Sequence, residues 1–388
     1  MNNRETRHAL IYGAGNIGRG FLGQLFHMSG YETTFVDVNP RVIRALCEEG
    51  RYPIFITEAE SYREYWVDGV CGILGDDGEA VAEAIAEADI LATAVGVPVL
   101  PALAAPLARG IERRLAKGVR TPLAIIVCEN MIGADRALCG WVRAAIAHEA
   151  LSYFDEAIRF VEPSIGRMVP RTPEHLASRH PLAVCVEPYC ELPVDRDAFR
   201  GDIPPVAHMI PYSPFDFHIR RKLYLHNMSH ALCAYLGAER GYSYIWEAVA
   251  DREIRQTARA ALAEASEALS LEYGVPMEEL NDFCEELLFR FDNRLLGDTV
   301  ARVGWDTARK LSPRDRFMGA IRLCQSHGVA YSHILRGLCA GARFCPQGDT
   351  SSAGVFYAMK QNPARALCEL CGMKEGSDLH VEALSLLR

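Results

Sequence analysis

The chain has 388 residues, 49% of them apolar and 23% charged, and carries a formal net charge of −9. That length exceeds one ordinary core, so two domains are expected, and the composition excludes wholesale disorder. The acidic balance, with no long basic run, argues against nucleic acid or a membrane surface as partner; an anionic substrate would need a cationic pocket built locally. No apolar run reaches the length of a bilayer-spanning helix. Residues 1–7 are polar and lack the apolar stretch of a signal peptide, so the expected location is cytoplasmic. The thirteen cysteines are odd in number and scattered among apolar neighbours, which reads as free thiols in a reducing compartment. Cys368 and Cys371 form one close pair with no second pair near it, so no metal site is expected.

Residues 8–12 form a short apolar run that breaks into glycines. Residues 18–29 then have helical spacing, with Phe21, Leu22, Leu25, Phe26 and Met28 apolar, and residues 31–36 form a second strand ending at Asp37. Asn39-Pro40 opens a helix that Gly50 stops. Residues 52–71, aromatic and β-branched, look like strands inserted into the same sheet. A helix at 79–87, an apolar strand at 90–95, a helix at 103–117 and a buried strand at 123–128 follow. Buried strands alternating with helices predict a doubly wound, mostly parallel sheet.

The texture changes after about residue 150. Residues 158–169 and 182–194 are strand-like, and proline-rich 201–214 reads as a connection. From Phe215 the pattern is helical: one long helix over 219–236, another over 248–273 stopped by Gly274, then 277–291 and 315–325. The expected fold is an α/β Rossmann-type N-terminal domain over 1–200 followed by an all-helical C-terminal domain over 201–388, which carries the catalytic and substrate groups.

Gly13-Ala14-Gly15-Asn16-Ile17-Gly18 fits the dinucleotide fingerprint G-x-G-x-x-G. The first glycine permits the tight turn, the second lets a pyrophosphate approach the backbone, and the third lets helix and sheet pack closely. The helix N-terminus then offers free N–H groups and a positive dipole end to the pyrophosphate. The motif follows a strand and opens a helix, and Asp37 ends the next strand about 20 residues on, as the fingerprint requires. An aspartate there accepts hydrogen bonds from the ribose hydroxyls and repels a 2′-phosphate, so the expected cofactor is NAD rather than NADP. Arg41 lies close enough in sequence to soften that repulsion. Thr93 to Gly96 ends another strand at the same edge, either as a cofactor contact or as an ordinary loop.

Oxidising an alcohol needs a base for the hydroxyl proton and donors for the developing oxygen charge. Residues 221–230 place Lys222, His226, Asn227 and His230 on one expected helix. At 3.6 residues per turn Lys222 and Asn227 lie roughly 140° apart with both histidines between them. That broad face holds a possible base and three possible donors, although polar helix faces are also common where a helix merely meets solvent.

The pattern Lys222-x4-Asn227-x2-His230 resembles the signature of the polyol-specific long-chain dehydrogenases, the mannitol dehydrogenase family. The opening from Gly13 to Phe21 is similar to its mannitol-1-phosphate 5-dehydrogenase branch, as are Asp37-Val38-Asn39, Thr93 to Gly96, Cys128 to Met131, the stretch 222–237, and Arg302 to Gly304 leading to Arg309 to Ser312. The resemblance covers most of the chain to about residue 325. It implies Lys222 as general base, Asn130 and Asn227 as donors to the reacting oxygen, and His230 as the group that orients it. One departure is Arg294, where the family block at 290–293 usually continues with proline.

The resemblance also implies a substrate: mannitol 1-phosphate, interconverted with fructose 6-phosphate. Arg302, Arg309, Lys310, Arg314 and Arg316 fall within one short stretch that could grip a phosphate, with Arg302, Arg309 and Lys310 as the foremost substrate ligands. Ion pairing of these cations with Asp306 and Asp315 is the alternative. An unphosphorylated polyol or sugar acid is the rival substrate, and a non-catalytic dinucleotide-binding redox sensor is the rival class, against which the Lys222 set argues. Oligomeric state is not legible in the sequence.

Overall fold

The structure, a computed structural model, describes residues 6–199 and 201–388. Residues 1–5 of the polar N-terminus, and residue 200, where the sequence reading divides the chain, lie outside the described residues. By its contacts the chain forms two compact units, Met1–Asp216 and Phe217–Arg388.

The first unit contains strands β1 (Arg7–Tyr12), β2 (Tyr31–Asp37), β3 (Arg51–Thr57), β4 (Tyr62–Asp68), β5 (Val70–Leu74), β6 (Ile90–Thr93), β7 (Leu123–Val127), β8 (Ile158–Val161), β9 (Val184–Val186), β10 (Leu192–Asp195) and β11 (Met209–Tyr212). Six of them make one sheet in the order β5-β2-β1-β6-β7-β8, with every neighbouring pair parallel. This is the 3-2-1-4-5-6 order of the dinucleotide-binding fold, whose crevice opens where the strand order reverses, here between β1 and β6. β7 is apolar at every position, and β1 and β6 are apolar over most of their buried length, because both faces are covered. Ala9 and Ile11 of β1 pack into one core, and Leu10 and Tyr12 into the other. Flanking helices are delimited as the sequence indicates: the Asn39 side chain accepts from Arg41 N–H, Pro40 takes the first helical position, and Gly50 closes the helix at φ +62°.

Residues 52–71 correct the sequence reading. β3 and β4 form an antiparallel hairpin in a separate three-stranded sheet with β9, and only β5 joins the large sheet. The reason is visible in β4, which is exposed at most positions: such a strand suits a half-covered hairpin, not the doubly covered interior of a parallel sheet. The proline-rich stretch 201–214 is also more than a connection. Its β11 pairs in parallel with β10, so it packs with the first unit.

The second unit is all helical. Helix Arg252–Tyr273 packs against Met228–Glu239, Met277–Phe291, Arg316–His327 and Ser332–Ala342. The helix expected over 248–273 is two helices. Asp251 breaks it by accepting from the N–H groups of Glu253 and Ile254, which caps Arg252–Tyr273, and Gly274 ends that helix at φ +67°. The last sixty residues complete this core, with Leu367, Cys371 and Ala383 buried. Among the described residues no helix is long and apolar enough to cross a membrane.

Candidate active site

In the first unit the fingerprint sits where β1 runs into the helical stretch 18–28, at the carboxyl edge of the sheet. Its three glycines are required for different reasons. Gly13 has φ +100°, and a Cβ there would lie 2.3 Å from the Ala94 carbonyl oxygen. A Cβ on Gly18 would lie 1.9 Å from the Gly13 oxygen, so helix and turn could not meet. A Cβ on Gly15 would meet nothing within 4 Å: this glycine faces open space, as it should where a ligand approaches the backbone. The residues present therefore fit a dinucleotide. Asn16 and Ile17 lead into the helix, and Asn16 Nδ2 donates to the Pro170 oxygen.

Asp37 is bound to this turn. Its Oδ2 accepts from Ala14 N–H at 2.7 Å and its Oδ1 from Asn39 N–H at 2.9 Å. Each carboxylate oxygen keeps a further lone pair for a ribose hydroxyl. Two more residues that the sequence reading passed over support the site. Arg19 is buried and donates to the Ala14 oxygen at 2.7 Å and to the Leu182 oxygen, fastening the fingerprint from behind. Glu129 accepts from Val95 N–H at 2.9 Å and from Gly96 N–H at 2.8 Å, which pins the loop after β6. Burial raises the Glu129 pKa, and those two N–H groups act against the rise. Thr93 ends β6 fully buried, Gly96 follows in the left-handed region at φ +90°, and Asn130 lies exposed three residues beyond β7. Gly13, Asp37, Thr93, Gly96 and Asn130 thus all follow or end parallel strands at one sheet edge.

In the second unit Lys222, Asn227 and His230 share one helical run, but its geometry is not the expected one. Residues Lys222–Asn227 form a π-helical turn between Asp216–Arg221 and Met228–Glu239. A π turn bonds i to i+5 and is wider than an α turn, so residues five apart return to nearly the same face. The roughly 140° that an α-helix would put between Lys222 and Asn227 is narrowed by this bulge. Burial lowers the Lys222 pKa to about 8, helped by the charges of Arg316 and Arg309 and opposed by Asp315. His226 is buried and tilted against Phe291, and burial holds its pKa well below the ordinary value. His230 is buried too, stacked on the Phe291 ring at 4.5 Å between centroids.

The expected phosphate-gripping cations are mostly engaged by acids. Arg302 forms a two-pronged bond to Asp298, 2.7 Å from Nε to Oδ1 and 2.6 Å from Nη2 to Oδ2. Arg309 bridges Asp306 at 2.8 Å and Asp315 at 3.2 Å, the pairing that the sequence reading held as its alternative. Arg316 is buried, with Nε 2.8 Å from Asp315 and Nη1 3.3 Å from the Asn227 carbonyl oxygen. Lys310 is buried with its Nζ donating to the Val303 oxygen, and burial, reinforced by Arg316 and Arg309, lowers its pKa to about 6. Burial and the neighbouring arginines thus work against the cation that a phosphate grip would need. Arg314 is exposed.

Residues 7–207 match the mannitol dehydrogenase Rossmann domain, and residues 215–367 match the mannitol dehydrogenase C-terminal domain. The chain belongs to the mannitol dehydrogenase family. That membership makes it an NAD-dependent polyol dehydrogenase. Among solved structures it is similar to a Pseudomonas fluorescens mannitol 2-dehydrogenase, seen in a ternary complex with NAD and D-mannitol. The TM-score is 0.77 at 14% identity, over 98% of this chain and 90% of that one. A substrate-free D-sorbitol dehydrogenase is similar to the same degree, with TM-score 0.77 and 14% identity over 98% of this chain and 92% of that one. At such identities the likeness is one of fold: a Rossmann-type domain followed by a helical one. In this mannitol dehydrogenase family chain the proline expected after Asn293 is replaced by Arg294, whose guanidinium lies 4.6 Å from the Trp246 ring centroid.

Proposed function

We propose that Lys222 is the general base of this dehydrogenase, that Asn130 and Asn227 hold the reacting oxygen, and that His230 orients the substrate. The observation that carries this reading is the Lys222 amine: it shares a π turn with Asn227, and burial beside two arginines brings its pKa to about 8. A lysine at its ordinary value of about 10.4 would be almost wholly protonated at neutral pH and a poor base. In oxidation Lys222 takes the hydroxyl proton and in reduction it returns one. The amide N–H groups of Asn130 and Asn227 stabilise negative charge on the oxygen as it develops. The backbone of residues 13–18 would hold the pyrophosphate of NAD, and Asp37 its ribose. When bound, the nicotinamide accepts or returns the hydride.

The preference should be for NAD over NADP. Asp37→Ala should narrow that preference, because it removes both the ribose acceptor and the repulsion of a 2′-phosphate. It also frees Ala14 N–H and Asn39 N–H, so NAD affinity should fall more than NADP affinity rises. Comparing kcat/KM for the two cofactors tests this; equal or better turnover with NADP in the unmutated protein overturns it.

For substrate, we infer mannitol 1-phosphate, interconverted with fructose 6-phosphate. Supporting it are the resemblance of the fingerprint and of the 302–312 block to the phosphate-using branch, and the four arginines in residues 302–316, which outnumber the neighbouring Asp298, Asp306 and Asp315. A second reading, a free polyol such as mannitol, is favoured by the ion pairs that already occupy Arg302 and Arg309. A charge-assisted contact to phosphate contributes about 1.5–3 kcal/mol, so Arg309→Gln should weaken use of mannitol 1-phosphate by about tenfold or more and leave NAD affinity unchanged. The deciding measurement is kcat/KM on mannitol 1-phosphate against mannitol, arabinitol and sugar acids. A win for any unphosphorylated substrate removes the phosphate assignment and leaves the dehydrogenase intact.

A further inference from the structure

His230 has a buried partner 68 positions along the chain. Asp298 is 5% exposed, and its Oδ2 lies 3.4 Å from His230 Nε2. Among the described residues that nitrogen makes no aligned hydrogen bond, and the Asp298 carboxylate stands within ion-pair distance of it. The carboxylate is at the same time gripped by the Arg302 fork. Its place is fixed by the backbone. Gly297 turns the chain at φ +60°, Ile245 N–H donates to the Asp298 carbonyl at 2.9 Å, and Val300 N–H donates to the Ser243 carbonyl at 2.9 Å. The imidazole is equally constrained, flat against Phe291 with 9° between the ring planes.

Resting on the polyol dehydrogenase reading, we propose that Asp298 is a positioning residue: its carboxylate bridges Arg302 and His230 and holds the imidazole in the tautomer protonated at Nε2, so that His230 offers substrate an acceptor at Nδ1. The chemistry leaves little choice. An ionised carboxylate can only accept, so the nitrogen facing it must carry the proton, and in a neutral ring the other nitrogen is then bare. The ring is neutral because burial disfavours its charged form; Arg302 and Lys310 act in the same direction, and Asp298 alone opposes them. The Asp298 carboxyl stays ionised: burial would raise its pKa, but His230 and Arg302 outweigh it and hold the value at about 2. The consequence for recognition is specific. A bare Nδ1 cannot donate to a carbonyl oxygen. It accepts from a hydroxyl, so His230 would grip the alcohol group or a neighbouring hydroxyl of a polyol, leaving carbonyl stabilisation to the asparagines.

Imidazole 15N spectra of the full-length, histidine-labelled protein test this directly, with His230→Gln supplying the assignment. The expected result at neutral pH is a protonated Nε2 and an unprotonated Nδ1 on residue 230. In Asp298→Asn, whose amide no longer compels one tautomer, the Nδ1-protonated form should appear. With mannitol and mannitol 1-phosphate as probes, kcat/KM should fall about tenfold or more, at unchanged NAD affinity. Added to His230→Gln, the same change should cost less than about threefold. A proton on Nδ1 in the unmutated protein overturns the proposal, as does an Asp298→Asn protein with unaltered tautomer and kinetics. Should Asp298→Asn fail to fold, the spectrum of the unmutated chain decides alone. Absence of turnover on every polyol would instead count against the dehydrogenase reading, which the spectra do not use.

Discussion

Lys222→Ala should reduce turnover by about 10²–10⁴-fold, the range that a positioned general base supplies, while NAD affinity stays close to that of the parent. The two effects separate because the lysine lies in the helical unit, whereas the fingerprint that would hold NAD lies in the Rossmann-type unit. Lys222→Arg should be no better than alanine: arginine keeps the charge and most of the bulk but does not release its proton near neutral pH. The pH dependence follows from the sign of the shift. Oxidation needs the neutral amine, so its rate should rise with pH through about 8 and then level; reduction needs the ammonium and should fall over the same interval. The groups that set this midpoint are burial of the amine, the cations Arg316 and Arg309, and the opposing carboxylate Asp315, with His226 nearby and uncharged. A Lys222→Ala protein with near-parental turnover, or a profile with no inflection between pH 7 and 9, would falsify the assignment.

What the sequence made legible divides along a physical line. The fingerprint could be read because its requirements are local: a left-handed turn at Gly13, a close approach at Gly18 and an acid at the end of the next strand are all encoded within 25 consecutive positions. The parallel sheet was legible for a similar reason, since strands covered on both faces must be apolar throughout. The β3–β4 hairpin was misplaced because aromatic and β-branched residues mark strands without saying which sheet they join. The π turn was invisible for a different reason. Apolar periodicity reports which face is buried, and one extra residue in a single turn barely disturbs it, yet that residue decides whether Lys222 and Asn227 stand together. The acids were the hardest. Asp298 reaches His230 across 68 positions, and Glu129 reaches Val95 and Gly96 across more than thirty, so neither partnership leaves a spacing pattern to find. The engagement of Arg309 by Asp306 and Asp315 was within reach, because all three sit within ten residues. It shows why a run of cations alone is weak evidence for a phosphate.

Asn227→Ala and Asn130→Ala should each lower kcat by about 10²–10³-fold, the usual cost of one lost oxyanion donor, with a smaller change in polyol KM. Asn227 is a clean position for this test. Arg316 donates to its backbone carbonyl, not to its amide, so truncating the side chain leaves the contact between helix Arg316–His327 and the π turn in place. Asn130 is exposed beyond the end of β7, where removing a side chain costs the core nothing. A sharper variant is Asn227→Asp, which keeps the shape and adds a carboxylate on the face that carries Lys222. A negative charge there favours the ammonium form of the lysine, so the oxidation profile should move to higher pH, and repulsion of the developing alkoxide should lower the plateau below that of Asn227→Ala. Asn130→Asp should lower the plateau in the same way. Initial-rate profiles from pH 6 to 10 in both directions read all of these. If both alanine variants keep kcat within about threefold of the parent, the asparagines do not hold the reacting oxygen, and the charge on it must be met by other groups.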